Sequence, residues 1–173
     1  MSDSAFPGRD TKSTPAGPAH ESQPFERVLV PIDFSPKSKA AFLMAMRVVA
    51  PWGSEVILFN APGMDDGDGF LQSMGAPWGK SDLIEQAREH LRSFADTVLP
   101  GSGRRVRAEA ARDEDLVASI ARACERLRPS LLVLGLNARR RERWLRSRAE
   151  RIVRAVDCPV LTVPAAHPDG AGR

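Results

Sequence analysis

Two patterns alternate along this chain: compact apolar runs of strand length, and longer stretches whose apolar residues return every three or four positions. "RVLVPID" at 27–33 is the first run, closed by Pro31 and Asp33. "FSPKSKAAFLMAMRVVAP" follows at helical spacing, with Met44, Ala45, Val48 and Val49 on one face, widened by Phe42 and Met46. Ser35 is its predicted cap and Pro36 its first residue, where a missing N–H costs nothing; Pro51 stops it. "SEVILFNA" at 54–61 predicts a second strand. From Ser81 to Val98, helical spacing returns in Ile84, Ala87, Leu91, Phe94, Ala95 and Val98. "RRVRAEA" at 104–110 alternates, which predicts a short, half-exposed strand. The next helix is expected to open at Asp113, with Glu114 and Asp115 in a first turn that favours negative charge. It buries Leu116, Val117, Ile120, Cys124 and Leu127. "SLLVLG" and "CPVLTVP" read as the last two strands, and between them Ala149, Ile152, Val153 and Val156 give a fourth helix its apolar face.

Five strands thus alternate with four helices. The first, second, fourth and fifth strands are apolar enough to be covered on both faces, which predicts an α/β fold: a single open, doubly wound parallel sheet. Such sheets take ligands outside the carboxyl ends of their strands, where the strand order reverses.

Length and composition narrow the class. At 173 residues the chain makes one domain. No apolar run approaches the ~20 residues a membrane helix needs. Residues 1–24 lack the apolar core of a secretory signal, and their Ser, Pro, Gly and charge content predicts a disordered arm. Residues 165–173 are expected to behave alike, leaving 25–164 as the folded domain in a cytoplasmic protein. The excursion "PGMDDGDGFLQSMGAPWG" at 62–79 lacks the regular spacing and closing glutamate of a calcium loop, so a solvated loop is expected. Cys124 and Cys158 sit in apolar contexts without metal-ligand spacing and read as buried hydrophobes. His20, His90 and His167 lie far apart, and no metal site is expected.

Charge changes the picture at one place. Residues 139–154 hold eight arginines against two glutamates, a local +6, whereas the rest of the +3 chain is net −3. Within that run "SRAE" at 147–150 has the form of a capping box, so the fourth helix is expected to begin at Ser147. "LNARRRERWLR" then forms the loop before it, anchored by Trp144 and Leu145, and its arginines lie beside a helix N-terminus, where anions are favoured.

The stretches "VLVPIDFSPKSKAA", "LLVLG" and "SRAERIVRAVDCPVLTVP", which together span nearly the whole folded region, resemble the universal stress protein family. The resemblance implies a five-stranded sheet ordered 3-2-1-4-5, with the first and fourth strands flanking the crevice. Nucleotide-binding members carry G-x2-G-x9-G-(S/T) after the fourth strand. This chain supplies Gly135, Ala138, Arg146 and Ser147, with a loop two residues shorter. Glycines serve there because the main chain must approach phosphates without a Cβ, so the backbone cradle is expected to be lost. Asp33 matches the acid that contacts the nucleoside in binding members; an Asx turn beside the Ser35 cap would use the same carboxylate. The candidate cofactor-site residues are Pro31, Asp33, Gly135, Asn137, Ala138, Arg146 and Ser147.

Three readings of the arginines stand side by side. The first is a solvated basic surface. The second is a set of guanidinium forks, from Arg139, Arg140, Arg141 or Arg146, gripping an anionic ligand directly. The third is a nucleic-acid or anionic-partner patch driven by counterion release, which is disfavoured because Trp144, the segment's one aromatic, reads as an anchor. The resemblance also implies a homodimer through the last strand, Pro159, Val160, Leu161, Thr162 and Val163. No metal is expected, and no cofactor; the alternative is ATP with Mg held by arginines.

Rival classes fit poorly. The loop "DFSPKS" lacks the S-G-G-x-D-S of ATP-pyrophosphatases and is a poor flavodoxin phosphate loop. Response-regulator receivers want an acid pair, an aspartate after the third strand and a lysine after the fifth; only Asp33 is present. No Ser–His–Asp set can be named. The expectation is a non-catalytic stress-response binding and regulatory protein, with slow nucleotide hydrolysis the one activity left open.

Overall fold

A computed structural model describes residues 24–61, 80–102, 105–111, 115–136 and 148–165. The arm before Pro24, the 62–79 excursion, the 137–147 arginine loop and the tail after Ala165 lie outside the described residues.

Five strands and four helices alternate as β1 (Arg27–Pro31), α1 (Pro36–Val49), β2 (Glu55–Asn60), α2 (Lys80–Val98), β3 (Val106–Ala110), α3 (Leu116–Leu127), β4 (Leu131–Leu136), α4 (Arg148–Ala155) and β5 (Val160–Pro164). The strands form one parallel sheet in the order β3-β2-β1-β4-β5. From β1 the chain adds β2 and β3 on one side, then crosses back to place β4 and β5 on the other. The order therefore reverses between β1 and β4.

The period of two along each strand distributes the core between the faces. Val28 and Val30 of β1, Val56 and Leu58 of β2, and Leu131 and Val133 of β4 pack with Ala41, Phe42, Ala45 and Val49 of α1 and with Leu91 and Ala95 of α2. The intervening Leu29, Ile57, Phe59, Leu132 and Leu134 pack with Val117, Ile120, Cys124 and Leu127 of α3 and with Ile152 of α4. Both faces of the central strands are covered, which is why their sequences run apolar without alternating. Phe42, Phe59, Ile57 and Leu132 are fully buried, and each such side chain contributes roughly 2 kcal/mol.

Local chemistry sets the helix ends. Ser35 caps α1: its backbone is extended and its hydroxyl accepts from Ser38 N at 3.4 Å, with Pro36 in the first turn. The start of α3 corrects the expectation of an opening at Asp113. Asp115 is extended, and its carboxylate accepts the Ala118 N–H at 3.0 Å, so it is the cap and the helix begins at Leu116. The helix α4 starts at Arg148, the residue after its expected cap; Ser147 lies outside the described residues.

Candidate functional site

The reversal between β1 and β4 marks the crevice where such a sheet takes a ligand. Its β1 side is built by the turn from the strand into α1. Pro31 is the last β1 residue, opposite Phe59. Ile32 is buried; its N–H donates to Phe59 O at 2.8 Å and its carbonyl accepts from Asn60 Nδ2 at 2.7 Å. The turn is thereby fixed to the end of β2. Asp33 follows, exposed at the strand end.

The Asp33 carboxylate is held inside the turn. Oδ1 accepts from Ser35 N at 3.1 Å and from the Ser35 hydroxyl, while Oδ2 pairs with Lys37 Nζ at 2.7 Å. The Ser35 hydroxyl thus donates to Asp33 and accepts from Ser38, linking the Asx turn to the helix cap. Partial burial pushes the Asp33 carboxyl up. Hydrogen bonds from Lys37, Ser35 and Ser38, together with the Lys37 charge, outweigh that and hold it below its ordinary value. Asp33 is therefore a carboxylate at neutral pH, already partnered by a cation one helical turn away.

Phe34, between them, has φ 58° and is 45% exposed. A bulky side chain rarely takes this left-handed conformation, at a cost of order 1–2 kcal/mol. Its ring lies edge-on to Phe94 of α2, 5.6 Å between centroids, a contact that offsets part of the cost.

On the other side, Gly135 pairs with Val163 of β5 near the end of β4. By the strand's alternation it shares the α1-facing side with Leu131 and Val133. A Cβ built on it would lie 2.3 Å from Lys37 O and 2.5 Å from Lys37 C. The first turn of α1 is seated directly on the β4 backbone, so this glycine is required by packing whatever the crevice holds.

Of the seven predicted site residues the structure thus brings together Pro31, Asp33 and Gly135, from the facing ends of β1 and β4. Asn137, Ala138, Arg146 and Ser147 lie outside the described residues, with Arg139, Arg140 and Arg141. Beyond them, Arg151 of α4 pairs with the α3 cap Asp115 at 3.1 Å and ties the two helices together. Lys37 is the site residue that sequence reading missed. Its spacing of four from Asp33 was the available signal, because such pairs meet on a helix face. Among the described residues no group of His, Cys, Asp or Glu is arranged to hold a metal, and no helix is long and apolar enough to cross a membrane.

Comparison with known proteins agrees with this architecture. Residues 24–164 match the sequence profile of the Universal stress protein family. A solved structure from that family in Burkholderia pseudomallei is 25% identical; the alignment covers 82% of this chain and 98% of that one, with a TM-score of 0.56. A universal stress protein solved in complex with cAMP is 16% identical over 82% of this chain and 98% of that one, with a TM-score of 0.56. An Arabidopsis thaliana family protein with AMP bound is 18% identical over 85% of this chain and 99% of its own, with a TM-score of 0.52. These last two likenesses bear on the fold alone. No curated protein sequence matches the chain.

Proposed function

This chain belongs to the universal stress protein family, and from that premise we propose a non-catalytic stress-response binding and regulatory protein that does not hold ATP through a glycine loop. The observation that carries the proposal is the seat of α1 on Gly135. Of the three glycines in the nucleotide-binding pattern this one survives, and the approach of Lys37 O to 2.3 Å from its absent Cβ accounts for it. Ala138 and Arg146 replace the other two in a loop two residues shorter. Of the motif, Ser147 alone is then left to serve a phosphate. Asp33, the acid a nucleoside would need, is already engaged by Ser35 and Lys37, which compete with a ligand for it.

The rival is an adenine-nucleotide binder that grips phosphate with arginines of the 139–146 segment. Relatives solved with cAMP and with AMP keep that reading in play. Calorimetric titration of the full chain with AMP, cAMP and Mg–ATP separates the two. Our reading expects no saturable heat up to about 1 mM ligand, equivalent to binding weaker than about 4 kcal/mol. Micromolar affinity for any of the three overturns it. We also place the protein in the cytoplasm as a homodimer joined through β5, whose residues Val160, Leu161 and Thr162 are half-buried in the single chain.

A further inference from the structure

At the β3 edge, away from the crevice, three arginines converge on one acid. Arg107 stands opposite Ile57 and Glu109 opposite Phe59, so both side chains lie on the sheet face covered by α3. The Glu109 side chain is buried, and Arg107 alone neutralises it: Nε and Nη2 donate to Oε1 at 2.9 and 2.6 Å. Two further guanidinium groups come up to Oε2. Arg126 of α3 lies 3.4 Å away. Arg88 belongs to α2, which packs on the opposite face, and reaches round the edge to 3.9 Å. Charge-assisted bonds of this kind close to about 2.7–2.9 Å, so both of these arginines are held near Glu109 loosely.

A buried carboxylate needs one cation, and Arg107 supplies it. The surplus is what packing leaves unexplained. Arg88 and Arg92 share Glu85, at 3.3 and 3.4 Å, so four arginines face two glutamates and the group carries a formal +2. The three guanidinium groups around Glu109 are 34–52% exposed. Arg107 Nη1 takes no part in the bonds to Glu109. Donors of one charge, brought from three elements to one buried post and open to water on their outer side, suit an oxyanion.

We propose that Arg88, Arg107 and Arg126 form a binding site for a phosphate dianion at the β3 edge, separate from the strand-end crevice, with Glu109 as the positioning residue beneath them. Two negative charges match the +2 of the group. Three oxygens of a tetrahedral anion can each face one guanidinium, which the two oxygens of a carboxylate ligand cannot do. The bound anion links α2, β3 and α3 across the edge, so it stabilises the fold by mass action. Part-exposed arginines are screened by solvent, which sets half-saturation above about 1 mM. Nucleotide calorimetry below that concentration therefore tests the crevice alone.

The test titrates the isotope-labelled full chain with sodium phosphate, at fixed pH and with sodium chloride holding the ionic strength constant, and follows the arginine Nε–H resonances. Arg88, Arg107 and Arg126 should shift together on one saturable isotherm, while Arg154, paired with Glu150 on α4, stays still. Glycerol phosphate as a second titrant separates the sources: an isotherm no tighter than that of inorganic phosphate assigns the site to the free ion, a tighter one to a phosphate monoester. Glu109→Gln keeps a carbonyl for Arg107 and removes one negative charge, so it should bind about threefold tighter or more. Arg126→Gln, a change at an exposed side chain, should bind about threefold more weakly or worse, and Arg154→Gln as the parent does. No saturable shift at tens of millimolar phosphate, shifts spread evenly over all arginines, Glu109→Gln binding no tighter, or Arg126→Gln binding as tightly as the parent each overturn the inference. Failure of the crevice reading looks different: micromolar nucleotide affinity, with shifts at the Ser35 and Gly135 amides.

Discussion

At Gly135 one hydrogen in place of a methyl group lets α1 sit on β4. The neighbour that a methyl would meet is the main chain of Lys37, which cannot swing aside as a flexible side chain would. Gly135→Ala should therefore lower stability by about 3 kcal/mol, the upper end for overpacking, read as a shift of the urea midpoint with an unchanged slope. A loss below about 0.5 kcal/mol would mean that the turn moves freely and that packing does not explain the glycine. Asp33 shows how far one residue's role could be read in the sequence. Its place at the end of the first strand followed from the apolar run before it, and its Asx turn from the serine two residues on. The left-handed Phe34 was not legible, because its conformation answers to Phe94 of α2, sixty positions away.

The strand β3 illustrates what alternation along one element leaves out. "VRAEA" reads as half-exposed, yet the Glu109 side chain is only 9% exposed. Arg107 of β3 donates to its Oε1 through Nε at 2.9 Å and Nη2 at 2.6 Å, Arg126 of α3 reaches Oε2 at 3.4 Å, and Arg88 of α2 lies 3.9 Å from that oxygen. Two helices distant in sequence thus bring guanidinium groups to a carboxylate that Arg107 of the same strand already holds, and no local pattern announces those two. The start of α3 failed for a related reason: three acids in a row suit a first turn equally well, and only the Asp115 bond to Ala118 N singles out the cap. The other elements were legible because a buried strand or an amphipathic helix writes its period into its own residues. Glu109→Ala leaves three cations facing one another, although each is part-exposed and free to turn to water. A loss of about 2 kcal/mol is expected, below the 3–5 typical of a fully buried pair and largely cancelled in a Glu109→Ala/Arg107→Ala double variant. Full additivity of the two substitutions would show that Arg107 is not the partner that matters.

Across the whole molecule the two sheet edges differ in kind, and the difference bears on assembly. The β3 edge carries the Arg107–Glu109 pair, with Arg88 and Arg126 reaching it from the flanking helices, and charge of this sort discourages strand addition. The β5 edge carries valine, leucine and threonine. Leu132 N donates to Pro159 O at 2.9 Å and Ala165 N donates to Leu136 O at 3.0 Å, so the odd-numbered residues of this segment bond to β4. By the two-residue period of a strand, the main-chain groups of Val160, Thr162 and Pro164 face away from the sheet. Proline has no donor to offer, which leaves the N–H groups of Val160 and Thr162 as the outward donors. A second copy pairing here would use them, whereas the β4 bonds would stay as they are. Thr162→Pro removes one outward donor without touching the β4 ladder. If copies join along β5, it should raise the dimer dissociation constant tenfold or more, roughly the 1.4 kcal/mol of a lost main-chain bond and its fit, while thermal unfolding of the single chain changes little. Sedimentation velocity across a concentration series reads this directly. A wild-type chain that sediments as a monomer at every concentration, or a proline variant that dimerises as tightly as the parent, would place the contact elsewhere.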